Sequence, residues 1–375
     1  MIYYLDEERS VRLWRTQGAD MNYKKKIIEY ADKINIDLIR FTDGNELFEI
    51  KNRIKNRIDN DYISEFDSKD IKRKTDTKLY LDDVKSIIVI AKKYKFSNNT
   101  ILENYGRLSS IAIGTDYHIE ITNELNELVD FIKTLYKDIN YKICVDTCDL
   151  ADRQIAYKAG IGEYGKNNFI ISKEFGSAIN VGYIMIDKFF EPDLFMEPIG
   201  CKDCNLCIDA CPTDALTKNG LDAKKCISEL TQTKRLLTYL ERELINNRIY
   251  GCDICQKVCP KNKDVESETI ENSSIELFDL INLTNKEFKN KFSDKAFLWR
   301  GNNTIKRNAI IAIGNQKKSE NFDKLLNLLE HQSETIREYV LWALFKSDSL
   351  RFLNINLDNE KLNEERIRII NYYTD

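Results

Sequence analysis

Long apolar runs are missing from this chain. No stretch of eighteen apolar residues occurs in its 375 residues, so no segment is expected to span a membrane. The opening residues carry no apolar signal segment, which places the cysteines in a reducing compartment where disulfides are rare. Neither sign of charge dominates: 57 Lys and Arg stand against 61 Asp and Glu, for a net charge of −4 and a pI near 5.6. That balance excludes indiscriminate nucleic-acid binding and leaves room for a local basic patch. Proline is scarce, at four residues, and the Lys-, Asn- and Ile-rich composition fits an AT-rich genome and carries no functional weight. The length suffices for two or three domains, each with its own core.

What the chain does have is cysteine in a pattern. Cys201 to Pro212 reads CKDCNLCIDACP, or C-x2-C-x2-C-x3-C-P, and Cys252 to Pro260 reads CDICQKVCP. The first is the ligand run of a bacterial two-cluster ferredoxin, in which three cysteines hold one [4Fe–4S] cluster and the fourth reaches to the other. With Cys226 between the runs, eight thiolates are available, the number two clusters require. The crossed geometry assigns Cys201, Cys204, Cys207 and Cys259 to one cluster, and Cys211, Cys226, Cys252 and Cys255 to the other. Zinc is the rival, but a zinc site takes cysteines as pairs and fits the C-x2-C-x2-C triplet poorly. Cys144 and Cys148 remain, and Cys144 reads as a buried apolar filler in a strand.

Upstream of the cysteines, residues 1–20 lack periodicity and read as a leader, and a helical pattern runs from Tyr23 to Ile34. Asp37–Thr42 and Val84–Ala91 read as strands. Between them KNRIKNRID (51–59) and KDIKRKTDTK (69–78) form a basic stretch, either a solvated helix face or a phosphate-contacting patch. Asp116 is a plausible N-cap for a helix reaching about Lys137, with His118, one of two histidines, as a helix-start or core residue. Tyr141–Val145 reads as a strand with Asp146 at its end, where a carboxylate of an α/β sheet would face a ligand crevice. A helix opening near Asp149 carries Asp152 and Arg153. Gly160, Gly162 and Gly165 follow, and then Phe169–Ser172 and Ala178–Ile186 as a strand pair around Phe175-Gly176-Ser177. Beyond the cysteines, segments starting at Ile305, Ile336 and Ile367 align at a period of 31, the mark of a small helical-repeat array.

The cysteine runs, VDTCDLADRQIAYKAGIGEYGKNNFIIS, GTDYH and the C-terminal repeat, in that combination, resemble the epoxyqueuosine reductase family from about Met21 to the C-terminus. The resemblance implies an α+β chain: an α/β corrinoid-binding, nitroreductase-like core (21–195), a two-cluster ferredoxin-like module (196–265) and C-terminal α-helical HEAT-like repeats (266–375). It implies a cytoplasmic enzyme that reduces epoxyqueuosine to queuosine in the anticodon loop of tRNA, with two [4Fe–4S] clusters and a cobalamin. A monomer is expected, fed by a low-potential donor such as a ferredoxin or flavodoxin. The family's proton-donating aspartate falls at Asp146. Lys166, Asn167 and Ser177 are candidate corrin contacts, with Ser228 a weaker one. Asp116-Tyr117-His118 is followed by Ile121 where the cobalt-ligand pattern D-x-H-x-x-G has glycine, which agrees with a family that binds cobalamin without that histidine. Cys148 stands where the family has Gly or Ala followed by Pro, so the loop after Asp146 departs from the pattern. Ser109 lies where some members have a cysteine near cobalt.

Other readings stay open at this point. A corrinoid iron–sulfur reductase acting on a small molecule is one, although no twin-arginine signal is present. A non-catalytic electron carrier with a helical-repeat interaction domain is another, and an RNA-binding scaffold with structural clusters is a third.

Overall fold

The computed structural model describes residues 22–98, 102–193, 200–268, 270, 273–357 and 359–374. The expected leader 1–20 lies outside them. The chain divides into two compact units, one built from 1–94, 117–206 and 258–265, the other from 95–116, 207–257 and 266–375.

The first unit is organised by a four-stranded sheet of β1 (Leu38–Asp43), β2 (Ser86–Lys93), β3 (Tyr141–Cys144) and β4 (Ile179–Ile186). Their order across the sheet is β1-β2-β4-β3, and every pair is antiparallel. Successive side chains of a strand point to opposite faces, and in β2 both sets are apolar, so both faces are covered. Ile88 and Ile90 join Ile184 and Ile186 under the helices 22–33 and Tyr117–Leu135, through Ile27, Ala31, Ile121, Leu125 and Leu128. Ile87, Val89 and Ala91 join Tyr183 and Met185 on the other face, against Ile54, Ile155 and Ala156. The sheet is therefore not the parallel α/β sheet from which the crevice position of Asp146 was argued. What places Asp146 is a turn at the end of β3.

The expected pairing of Phe169–Ser172 with Ala178–Ile186 is also not formed. Ile170–Ile171 pairs with Glu163–Tyr164, and Ser172 and Gly176 close the turn with a single bridge. β4 is occupied on both edges by β2 and β3, which leaves no edge for a hairpin partner.

The second unit rests on three helices, Asn302–Gln316, Glu334–Ser347 and Glu360–Thr374. They carry the period-31 segments. Ile305 and Ile336 are buried, but the third equivalent, Ile367, is 57 % exposed. The third helix buries Leu362, Glu365 and Ile369 instead. Gly314 lets the first two helices close up, because a Cβ there would stand 2.7 Å from the Trp342 ring. A three-stranded sheet, in the order Arg248–Tyr250, Tyr105–Leu108, Ser274–Glu276, completes this core.

Candidate functional site

Two local structures hold the candidate residues. The first comprises the cysteine loops. In the first unit the turn at Cys201 is closed by Cys204 N–H on Cys201 O at 2.9 Å. Lys166 holds this loop: its backbone N–H reaches Cys201 Sγ at 3.4 Å, and its ammonium donates to Lys202 O, Cys204 O and Asn205 Oδ1 at 2.9, 2.9 and 3.0 Å. Burial, opposed by the Lys261 N–H and reinforced by the Cys201 and Cys204 thiols, pushes the Cys259 thiol up. Ser177 braces the same run, with its N–H on Asn262 Oδ1 at 2.7 Å and its hydroxyl accepting from Asn262 Nδ2 at 2.8 Å.

In the second unit, burial followed by the thiols of Cys226, Cys252, Cys207 and Cys211 pushes Cys255 up. Burial also takes Cys226 to about 11, against the Ser228 N–H that favours its thiolate and with Cys252 and Cys211 adding to the rise. Thiols that resist ionisation because they are buried, and then because neighbouring thiols would be charged too, form a donor set suited to a cationic core. Among the described residues no three Cys, His, Asp or Glu groups converge as they would on one metal ion.

Of the four expected corrin contacts, Lys166 and Ser177 are bonded to these cysteine-bearing segments. Asn167 and Ser177 are buried at 3 % and 1 % exposure, Lys166 is engaged with the Cys201–Asn205 segment, and Ser228 accepts from Thr231 and Gln232.

The second structure surrounds Asp146. β3 ends at Cys144, and Asp146 adopts φ 50°, in the left-handed region. That turn folds the chain back so that Cys144 and Cys148, with Cα atoms 5.8 Å apart, are joined as a disulfide. Cys144 is fully buried in the apolar cluster of this face, as expected of it, but it is also paired, which the expectation that disulfides are rare here did not foresee. Helix Tyr117–Leu135 delivers two partners from its first turn. Tyr117 Oη donates to Asp146 Oδ2 at 3.0 Å, His118 Nε2 lies 3.8 Å from the same oxygen, and the two rings stack at 4.1 Å. The Asp146 side chain is 67 % exposed. Packing on its inner side raises its pKa, but the bonds from His118 and Tyr117, together with the charges of His118 and Arg153, outweigh this and hold it below the ordinary carboxylate range. The raised carboxyl is Asp152, the first residue of helix Asp152–Lys158. Sequence reasoning missed Tyr117 as a site residue and read His118 as structural. The available signal was GTDYH itself, but nothing in the spacing shows that it meets a loop 29 residues on.

A basic face lies in the same unit. Much of the 51–78 stretch is neutralised by Lys51–Glu46, Lys72–Asp76, Arg73–Asp149 and Lys74–Asp67 pairs. Arg53 stands over the Tyr164 ring at 4.2 Å and donates to Asn168 Oδ1 at 2.5 Å. Burial, and then the charges of Arg153 and Arg53 against that of Asp67, lower the Arg57 guanidinium. Three arginines thus share one locality.

Fold and thiol set together define a two-cluster iron–sulfur oxidoreductase. Residues 200–262 match the family model of a 4Fe-4S double cluster binding domain, and 74–147 match the model described as Epoxyqueuosine reductase QueG, DUF1730. The chain is 36% identical over 355 residues to an epoxyqueuosine reductase of Staphylococcus aureus, which spans 90% of this chain and 93% of that one. It superposes on the structure of epoxyqueuosine reductase from Streptococcus thermophilus with TM-score 0.87 and 30% identity, covering 94% of this chain and all of the other. A crystal structure of an epoxyqueuosine reductase with an epoxyqueuosine-modified tRNA-Tyr stem loop gives TM-score 0.85 and 34% identity over 94% and 98% of the two chains. The chain belongs to the epoxyqueuosine reductase family.

Proposed function

We propose that this protein reduces epoxyqueuosine to queuosine in the anticodon loop of tRNA. The observation that carries the reading is the likeness, over 94% of the chain, to a reductase holding an epoxyqueuosine-modified stem loop. The reaction takes two electrons and two protons, removes the epoxide oxygen as water and leaves an alkene. Cys201, Cys204, Cys207 and Cys259 hold one cluster in this reading and Cys211, Cys226, Cys252 and Cys255 the other, so that electrons from a ferredoxin or flavodoxin pass singly between them. A cobalamin is part of the reading and would supply a strongly reducing, nucleophilic centre. Asp146 gives a proton to the oxygen as the C–O bond opens, and Tyr117 and His118 fix its carboxyl against rotation. An unstacked loop nucleotide reaches such a site more readily than a duplex one. Arg53, Arg57 and Arg153 offer the phosphate contacts. The helical array would be HEAT-like, and the protein a cytoplasmic monomer.

The test is anaerobic reconstitution with iron, sulfide and cobalamin, followed by single turnover on epoxyqueuosine-containing tRNA. Wild type is expected to convert it. Asp146→Asn should be slower by roughly a hundredfold or more, the scale of a lost general acid, with both clusters retained. Turnover by the variant at the wild-type rate would remove Asp146 from the chemistry, and an inert wild type would favour a small-molecule reductase.

A further inference from the structure

The turn that carries Asp146 is anchored at its two ends and held by side chains between them. Val145 is buried in the apolar cluster on one face of the sheet, and Leu150 in the cluster on the other. Among the described residues no backbone-to-backbone hydrogen bond ties 146–149, and Thr147 is exposed beside Asp146. Tyr117 Oη holds Asp146 at 3.0 Å, while Arg73 Nε reaches Asp149 Oδ2 at 2.5 Å and the Tyr80 hydroxyl accepts from the Asp149 N–H. The one covalent link is the Cys144–Cys148 disulfide, and Asp146 is the central residue of the ring it closes. Asp146 also sits at φ 50°, a left-handed conformation disfavoured for a residue with a Cβ, and a closed ring restricts its relaxation. The two sulfurs differ in access: Cys144 is fully buried, whereas Cys148 is only partly buried.

We propose that Cys144–Cys148 is a redox-modification site, opened by a dithiol of the thioredoxin class, whose closed form holds Asp146 against Tyr117 and His118. The proposal rests on the reading of Asp146 as proton donor. A thiolate of the dithiol attacks Cys148 Sγ, the accessible sulfur, and a mixed disulfide forms as the Cys144–Cys148 bond breaks. Cys144 leaves as a thiolate and takes a proton. The second thiol of the dithiol then displaces Cys148, which is protonated in turn. Two electrons and two protons pass from the dithiol to the protein, and the oxidised dithiol carrier reverses the exchange. With the ring open, Asp146 keeps only its hydrogen-bonded partners and its carboxyl loses its fixed place. In a reducing compartment the disulfides that do form are mostly transient, catalytic or redox-sensing ones, and this pair stands apart from the eight cysteines of the cluster runs.

The test is a thiol map of the reconstituted holoprotein before and after exposure to reduced thioredoxin. The protein is alkylated and then cleaved after lysine and arginine. Peptide 143–153 carries Cys144 and Cys148 and none of the cluster cysteines. It is expected unalkylated and two hydrogens lighter before reduction, and doubly alkylated after it, with iron per chain unchanged. Single turnover on epoxyqueuosine-containing tRNA should then slow by about tenfold or more, the scale of a displaced catalytic group, while affinity for the tRNA stays the same. The peptide is mapped again after turnover to fix the state of the bond during the assay. Cys148→Ser should show the slower rate with or without thioredoxin; if that variant does not fold, the two states of wild type decide. The map needs no substrate, so a failure of the Asp146 reading shows in Asp146→Asn turnover and leaves the map intact. Free thiols in peptide 143–153 of the untreated protein, a bond that thioredoxin leaves closed, or a rate unmoved by opening it would each overturn the proposal.

Discussion

Lys166 shows how much one side chain can organise. Its ammonium satisfies three acceptors of the Cys201–Asn205 segment while its own N–H points at Cys201 Sγ. Hydrogen bonds from a charged donor contribute about 1.5–3 kcal/mol each, and acceptors deprived of them leave a turn that no longer presents two thiolates in register. Lys166→Met should therefore lose one of the two clusters while keeping the fold. Iron per chain is expected to fall toward half of the wild-type value, with a matching loss of cluster absorbance and an unchanged far-ultraviolet circular dichroism spectrum. Full iron content would show that the loop holds itself. In the sequence, Lys166 stands in a glycine-rich run, and the family resemblance makes it a candidate corrin contact. The eight cysteines were legible because their meaning lies in local spacing. The partners of Lys166 lie 35 or more residues away and become visible only with the fold.

At the scale of elements, periodicity revealed the helices but not their partners. The repeat matched Ile305 to Ile336 because both are buried; it failed at Ile367, which lies on the exposed side of the last helix. Strand periodicity likewise found Ile170–Ile171 and Ile179–Ile186 yet could not choose between pairing edges, since alternation records a face and not a neighbour. Nor does it reveal what pins the first repeat helix. Arg307, 3 % exposed, donates to Thr233 O at 2.6 Å and Leu230 O at 2.9 Å, while the fully buried Asn308 donates to Thr231 O and Ile249 O. The carbonyls of Leu230, Thr231 and Thr233 follow or end the helix Ile227–Leu230, which starts directly after Cys226. Arg307→Met would strand two buried carbonyls and the Asn308 oxygen, a loss of about 3–5 kcal/mol by analogy with broken buried polar networks. A fall in melting temperature of several degrees is expected, with iron released at lower temperature than in wild type. A variant that melts and releases iron like wild type would mean that the apolar contacts of this helix suffice.

For the molecule as a whole, the difficulty is that a chain of net charge −4 must engage a polyanion. Average charge would repel tRNA, so binding has to come from a place where cations outnumber carboxylates. The 51–78 stretch looked like such a place in the sequence, but five of its lysines and arginines are tied to acids in the fold. Outside those pairs the stretch keeps Arg53, Lys55, Arg57 and Lys78, and Arg53 and Arg57 lie with Arg153 around Tyr164, where mutual repulsion already helps to lower Arg57. Such a cluster gains most from a bound phosphate, because the anion removes a repulsion already present in the free protein. Each phosphate contact contributes about 0.7–0.9 to the slope of log affinity against log salt concentration. Affinity for an anticodon stem loop, followed by fluorescence anisotropy between 50 and 300 mM salt, should therefore fall linearly on these axes. Arg53→Gln should weaken binding and reduce the slope by about one contact's worth. An unchanged slope in that variant would move the tRNA contacts to another face, with the surface of the helical array the next to be tested by the same titration.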